Sequence, residues 1–224
     1  MLVESKGMSI LLASTNPGKI AELNHLLGRA GFEVTGLDGL ATTHEIETGS
    51  TFEENALLKA RYFQKTSGLV TLADDSGLEV EALDGAPGIY SARYGGANAS
   101  DEDRVNKLLE ALKDVPAERR GARFVCVAAV AWDGGEQTFT GEATGRILTQ
   151  PCGKDGFGYD PVFFFEPLGK TFAELTKNEK AKVSHRGIAF RQLAGWLRGA
   201  GMLDTLRSGD RIDTPTGDSF ACSQ

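Results

Sequence analysis

The stretch that most constrains the fold is Ala122 to Trp132, nearly continuous in Val, Ala and Phe. Such a run reads as a strand covered on both faces, at the centre of a sheet. Asp133-Gly134-Gly135-Glu136 then forms a hairpin turn, so Gln137 to Ala143 returns antiparallel. Elsewhere short apolar runs lead into helical periodicity. Ser9 to Ala13 precedes Ile20, Leu23 and Leu27, which recur at helical spacing up to Gly28. Glu33 to Leu37 reads as a second strand, and Thr51-Phe52-Glu53-Glu54 opens a helix that ends near Gly68. Further strands are expected at Leu69 to Leu72, Leu78 to Leu83 and Val162 to Phe165. Helices are expected after Ser100 and Thr176, and again through Ile188, Leu193 and Trp196. The pattern is α/β with a mixed sheet flanked by helices, which argues against a purely parallel dinucleotide-binding domain.

At 224 residues the chain suits one substantial core rather than two full domains. Residues 9–207 are expected to form that single domain, with 1–8 an N-terminal extension and the polar stretch 208–224 a disordered tail. A formal net charge of -7 argues against a nucleic-acid or anionic-membrane binder. Cys126, Cys152 and Cys222 are odd in number and share no ligand spacing, so the expected compartment is a reducing cytoplasm. No stretch reaches transmembrane length.

Asp74-Asp75-Ser76-Gly77 follows the apolar run Leu69 to Leu72. It is expected to lie at the carboxyl end of a strand, with Ser76-Gly77 turning the chain. Ligands of open α/β sheets sit at that edge, so a divalent-cation and phosphate site with Asp74 or Asp75 as ligand or base is one reading. A solvated turn is the commoner fate of such a tetrapeptide. Ser14, Thr15, Asn16, Pro17, Gly18 and Lys19 make a polar turn into a helix, with Asn16 as N-cap and Pro17 at the first helical position. Free N–H groups, hydroxyls and the Lys19 ammonium could converge there on a polyphosphate. Taken singly, Glu47 and His44 read as surface side chains. Gly153 to Pro161 leaves backbone accessible, while Phe157 and Tyr159 offer faces for a planar base or simply fill the core. His185-Arg186 at a helix entry could grip a carbonyl or phosphate, though a cap and a surface charge are commoner.

The order of these blocks is more specific than any one of them. Ser14–Lys19, Glu47–Gly49 running into Thr51–Ala56, Ala73–Gly77, Gly85–Tyr94, Gly156–Pro161 and Ser184–Gly187 together resemble the inosine/xanthosine triphosphate pyrophosphatases. The likeness covers roughly residues 9 to 198. It implies an elongated mixed sheet, two lobes around a nucleotide cleft, a homodimer, and hydrolysis of ITP, dITP or XTP to monophosphate and pyrophosphate with Mg2+. Carried over by position, Ser14 to Lys19 hold the polyphosphate and Lys59 is a phosphate-side lysine. Glu47 and Asp75 are the metal carboxylates, Asp75 is also the general base, and Ser76 touches substrate. Phe157, Gly158, Tyr159 and Asp160 form the base loop, and Lys180, His185 and Arg186 close on the purine. Asp74 is expected only to support Asp75.

Those residue types suit the chemistry. Carboxylate-held magnesium and lysines neutralise a triphosphate, and a nearby carboxylate orients or deprotonates water. Hypoxanthine and xanthine present a carbonyl at position 6 where adenine presents an amino group. Donors from Arg186, His185 or the loop backbone would accept the first and reject the second. Two rivals remain at this level: a pyrophosphatase of related fold acting on pyrimidine or other modified nucleotides, and a nucleotide-binding regulator without turnover.

Overall fold

The computed structural model describes residues 10–29, 34–37, 46–96 and 98–199. The expected N-terminal extension, the polar tail and His44 lie outside them. One seven-stranded sheet carries the fold, in spatial order β2-β1-β3-β4-β5-β6-β7. Its strands are β1 (Ile10–Leu12), β2 (Val34–Thr35), β3 (Thr71–Val80), β4 (Gly121–Trp132), β5 (Gly135–Ile147), β6 (Phe163–Phe165) and β7 (Lys170–Thr171). β1 runs parallel to β2 and β3, and every later pairing is antiparallel. The mixed sheet is therefore as expected, and the apolar run in β4 lies at its centre.

The helices are α1 (Pro17–Arg29), α2 (Phe52–Ser67), α3 (Asp101–Ala111), α4 (Lys177–Val183) and α5 (His185–Leu197). Side chains fix their starts. The Lys19 N–H donates to Asn16 Oδ1 at 3.1 Å, and Thr51, Ser100, Thr176 and Ser184 each accept from a first-turn N–H. None of the helices among the described residues is long and apolar enough to cross a membrane.

The apolar faces sort by strand alternation. On one face of the sheet, α2 buries Phe52, Ala56, Ala60 and Phe63 against Ala73, Val125, Val127 and Ala129. On the other, α1 and α5 bury Leu23, Leu27, Phe190 and Leu193 against Leu72, Cys126, Ala128 and Val130. Further along that second face a separate cluster joins Leu78, Val80 and Phe124 to Phe163, Phe172 and the α3 leucine Leu108. Asp74 and Ser76 stand between these two clusters, and the apolar face breaks there.

One expectation is corrected. Asp74-Asp75-Ser76-Gly77 is not a strand-end turn: β3 passes straight through it, with Asp74 opposite Ala128, Asp75 opposite Val127 and Gly77 opposite Val125. The strand expected at Leu78 to Leu83 is the second half of β3, followed by a 3-10 turn at Glu81–Leu83. Gly77 serves close approach rather than turning. A Cβ there would lie 2.3 Å from the Gly88 carbonyl oxygen and 2.5 Å from Ser91 Oγ.

Candidate active site

β1 pairs with β3 through Leu11 opposite Thr71 and Leu12 opposite Leu72, and its last bond runs from the Ala13 N–H to the Leu72 carbonyl. The chain then leaves the sheet for the Ser14–Asn16 turn, so the β3 edge beyond Leu72 has backbone groups to satisfy. Side chains take them. Lys59 Nζ donates to the Asp74 carbonyl at 2.7 Å, and the Leu78 N–H donates to Ser91 Oγ at 2.8 Å. The cleft lies along this edge.

Alternation sends the two adjacent aspartates to opposite faces of β3. On the α2 face, Asp75 is 7 % exposed. Lys59 Nζ stands 2.6 Å from Glu47 and 3.6 Å from Asp75. Asn55 Nδ2 donates to Asp75 Oδ2 at 3.2 Å, while Asn55 Oδ1 accepts the Gly49 N–H at 2.8 Å. One amide thus fixes both the carboxylate and the loop that carries Glu47. Burial raises the Asp75 pKa above the usual carboxylate value, helped by Glu47 and Asp74 and opposed by Lys59 and Lys19. Lys59 remains an ammonium: burial would lower its pKa, but Asp75, Glu47 and Asp74 outweigh that.

On the other face, Asp74 is fully enclosed. Its Oδ2 accepts from Lys19 Nζ at 3.0 Å and from Arg186 Nε at 3.3 Å. Burial alone would raise its pKa, yet Lys19, Arg186 and Lys59 hold it well below the carboxylate range. The pKa values of neighbouring carboxylates are thereby driven in opposite directions, down at 74 and up at 75. That separation is how acid–base roles are divided within a site.

The cleft beside Asp74 is lined by Asn16, Lys19, Ser76, Phe157, Gly158, Tyr159, Asp160, Lys180, His185 and Arg186. The structure therefore brings most of the expected substrate residues to one place. Ser14 is buried behind the turn, where its Oγ accepts the Asn16 N–H at 3.3 Å, and Thr15 and Pro17 lie at its surface. The Phe157 ring packs on Gly18, where a Cβ would lie 2.7 Å away, and Lys180 Nζ sits 4.9 Å from the ring centre. Of the two aromatics, only Phe157 is partly exposed. Tyr159 is buried, with its hydroxyl donating to the Ser91 carbonyl at 3.0 Å. Asp160 is structural to the loop, accepting the Phe157 N–H at 2.8 Å and Lys180 at 2.5 Å.

His185 and Arg186 are neither a cap nor a surface charge; both are buried in the first turn of α5. The His185 ring stacks on Phe124 at 4.6 Å and 8°. Burial, then the Arg186 and Lys180 charges, push its pKa well below 6.5, so it is a neutral imidazole at pH 7. Its Nδ1 is buried without a hydrogen-bond partner. Arg186 Nη2 donates to Ser76 Oγ at 2.8 Å, and its Nη1 donates to Glu22.

Two residues of this site escape a reading of the sequence. Glu22 takes Lys180 at 2.6 Å as well as Arg186, tying α1 to α4 and α5. Its position one helical turn after Lys19 was the available signal. Asn55 lay within a recognisable block, but nothing in the sequence pointed its amide at Asp75.

Comparison with known proteins covers nearly all of the described fold. The Ham1 family profile matches residues 10–196. A dITP/XTP pyrophosphatase of Yersinia pseudotuberculosis is 52% identical over 194 residues, covering 85% of this chain and 98% of that one. A Thermus thermophilus protein of the same description is 50% identical over 189 residues, covering 84% and 91%. The structure of the Staphylococcus aureus Ham1 protein superposes with a TM-score of 0.75 at 42% identity, covering 85% and 98%. A Mycobacterium abscessus structure, titled nucleoside-triphosphatase / dITP/XTP pyrophosphatase, gives 0.67 at 45%, covering 85% and 100%.

Proposed function

The chain belongs to the Ham1 family, and from that membership and the cleft we propose that it hydrolyses deaminated purine nucleoside triphosphates, ITP, dITP and XTP, to the monophosphate and pyrophosphate. The observation that carries the reading is the division of labour across β3. The Ser14–Lys19 turn ends in a lysine that pairs with Asp74, and the next residue, Asp75, is a carboxyl on the opposite face whose pKa is raised by burial.

Ser14 to Lys19 and Lys59 hold the polyphosphate: Ser14 and Asn16 fix the turn by internal hydrogen bonds, its exposed Thr15–Pro17 surface lies against the phosphates, and the two ammoniums offset their charge. Asp75, oriented by Asn55, takes the proton of the attacking water. The donor set near it fits Mg2+. Glu47 and Asp75 offer only carboxylate oxygens, and their shared attraction to the Lys59 ammonium marks a site that favours positive charge. Among the described residues, no group of three or more His, Cys, Asp or Glu side chains converges. Mg2+ itself is a cation that keeps water and substrate oxygens in its shell beside one or two carboxylates. When bound, the ion supplies charge neutralisation to the triphosphate.

Phe157 stacks on the purine, while Arg186 and neutral His185 address its position-6 edge. A buried donor facing the adenine amino group would be left unpaired, which disfavours ATP. Lys180 is held between Asp160 and Glu22 and orders the loop that carries Phe157. We extend the reading to a cytoplasmic homodimer with residues 9–207 as one catalytic domain. Pyrophosphate release measured with ITP, XTP, dTTP, GTP and ATP in magnesium tests the activity. Release from ITP and XTP well above the other three is expected, and none from either would overturn the assignment.

A further inference from the structure

Asp74 sits where the phosphate side and the base side of the cleft meet. Oδ2 accepts from Lys19 Nζ at 3.0 Å, Arg186 Nε at 3.3 Å, Arg186 Nη2 at 3.4 Å and Ser76 Oγ at 3.3 Å. Oδ1 is buried with no hydrogen-bond partner. The carboxylate cannot move far, because its backbone is paired into the sheet opposite Ala128. The two cations arrive from different elements, Lys19 from the first turn of α1 and Arg186 from the first turn of α5. One enclosed oxygen thus pairs with two cations that both line the cleft, Arg186 sharing its charge with Glu22 as well. A buried anion that loses one partner leans on whatever partner remains.

We propose that Asp74 is a positioning residue that couples base recognition to the polyphosphate grip through the oxygen shared by Lys19 and Arg186. The inference rests on the preceding reading for the identity of the ligand. With Arg186 held in place by a carbonyl acceptor, Asp74 stays balanced and Lys19 is left to the phosphates. A base that pushes Arg186 out of register hands Asp74 back to Lys19, and the phosphate grip loosens. Base identity is then felt at a lysine that never touches the base.

Calorimetric titration with inorganic tripolyphosphate tests this, because the probe has no base and needs no turnover. Replacement Arg186→Ala should weaken tripolyphosphate binding by about fivefold or more, the lower range of a coupling between sites. In an Asp74→Asn background the same replacement should change it by less than about twofold, as independent groups do. Equal weakening in both backgrounds would mean that Arg186 acts as bulk positive charge, and no weakening would mean no coupling; either overturns the proposal. Should Asp74→Asn not fold by circular dichroism, Lys19→Met in the native background gives the reciprocal reading. The ratio of IMP to AMP dissociation constants should then move toward unity by about fivefold, and an unchanged ratio would overturn the coupling. Loss of ITP hydrolysis specificity in the native protein would sink the proposed activity while leaving the tripolyphosphate result to stand or fall alone.

Discussion

Asp74 and Asp75 are neighbours in sequence that face opposite sides of one strand: Asp74 meets Lys19 at 3.0 Å, and Asp75 lies 3.6 Å from Lys59. Their environments hold one carboxyl well below the usual range and raise the other above it, and the predictions below follow from that separation, from the proposed roles and from the groups around them.

Asp75→Asn keeps the Asn55 contact partner and the volume but removes the proposed base and one of the two proposed metal carboxylates. With ITP, kcat should fall by about 10²–10⁴, the usual share of a positioned general base, while the thermal unfolding midpoint stays near that of the native protein. A kcat within a few-fold of native would remove Asp75 from the proton-transfer role.

Lys59→Met leaves Glu47 and Asp75 without the ammonium that lies 2.6 and 3.6 Å from them. Removing one partner of a buried charge cluster costs about 3–5 kcal/mol, readable as a lowered urea midpoint. Magnesium should recover part of that loss and stabilise the variant more than the native protein. Equal stabilisation of both would argue that the ion does not bind at Glu47 and Asp75.

Gly77→Ala places a methyl 2.3 Å from the Gly88 carbonyl oxygen. Overpacking of this kind costs about 1–3 kcal/mol, and it would shift β3 beside Asp75. Both stability and kcat should drop; a native-like Tm would contradict the close approach.

His185 is neutral in the folded protein because its pKa lies well below 6.5. The unfolded chain therefore binds a proton that the folded one refuses once the pH drops through about 6.5. This contribution to stability is intact above that pH and is lost progressively below it. His185→Gln should flatten the slope of unfolding free energy against pH between about 6.5 and 5, measured by urea titration. An unchanged slope would place the imidazole in a solvated setting.

Arg186→Ala should narrow the ITP-over-ATP preference in kcat/KM by about tenfold or more, since discrimination built on a polar edge is large. An unchanged ratio would remove Arg186 from base selection.

Much of this was legible from local rules. Asn16 and Pro17 announce the start of α1, and the apolar run in β4 announces the centre of the sheet, because capping and periodicity act over a few residues. The ordered blocks named the family and gathered Lys19, Asp75, Phe157, His185 and Arg186 into one set before any coordinates. Asp74 through Gly77 defeated the same rules. Ser and Gly after two acidic residues have turn chemistry, and nothing local reveals that Gly88 and Ser91 press against Gly77 or that Lys59 will meet the Asp74 carbonyl.

The sequence by itself thus determined most of the elements and their caps, since each depends on neighbours along the chain. The resemblance already separated the two aspartates by role, but only the tertiary structure decided which face of β3 each occupies and which charges meet it. Whether a carboxylate becomes a fixed anion or a proton acceptor is set by the charges and the burial around it. For Asp74 and Asp75 those come from α1, α2 and α5, brought to opposite faces of β3 by a strand that does not turn.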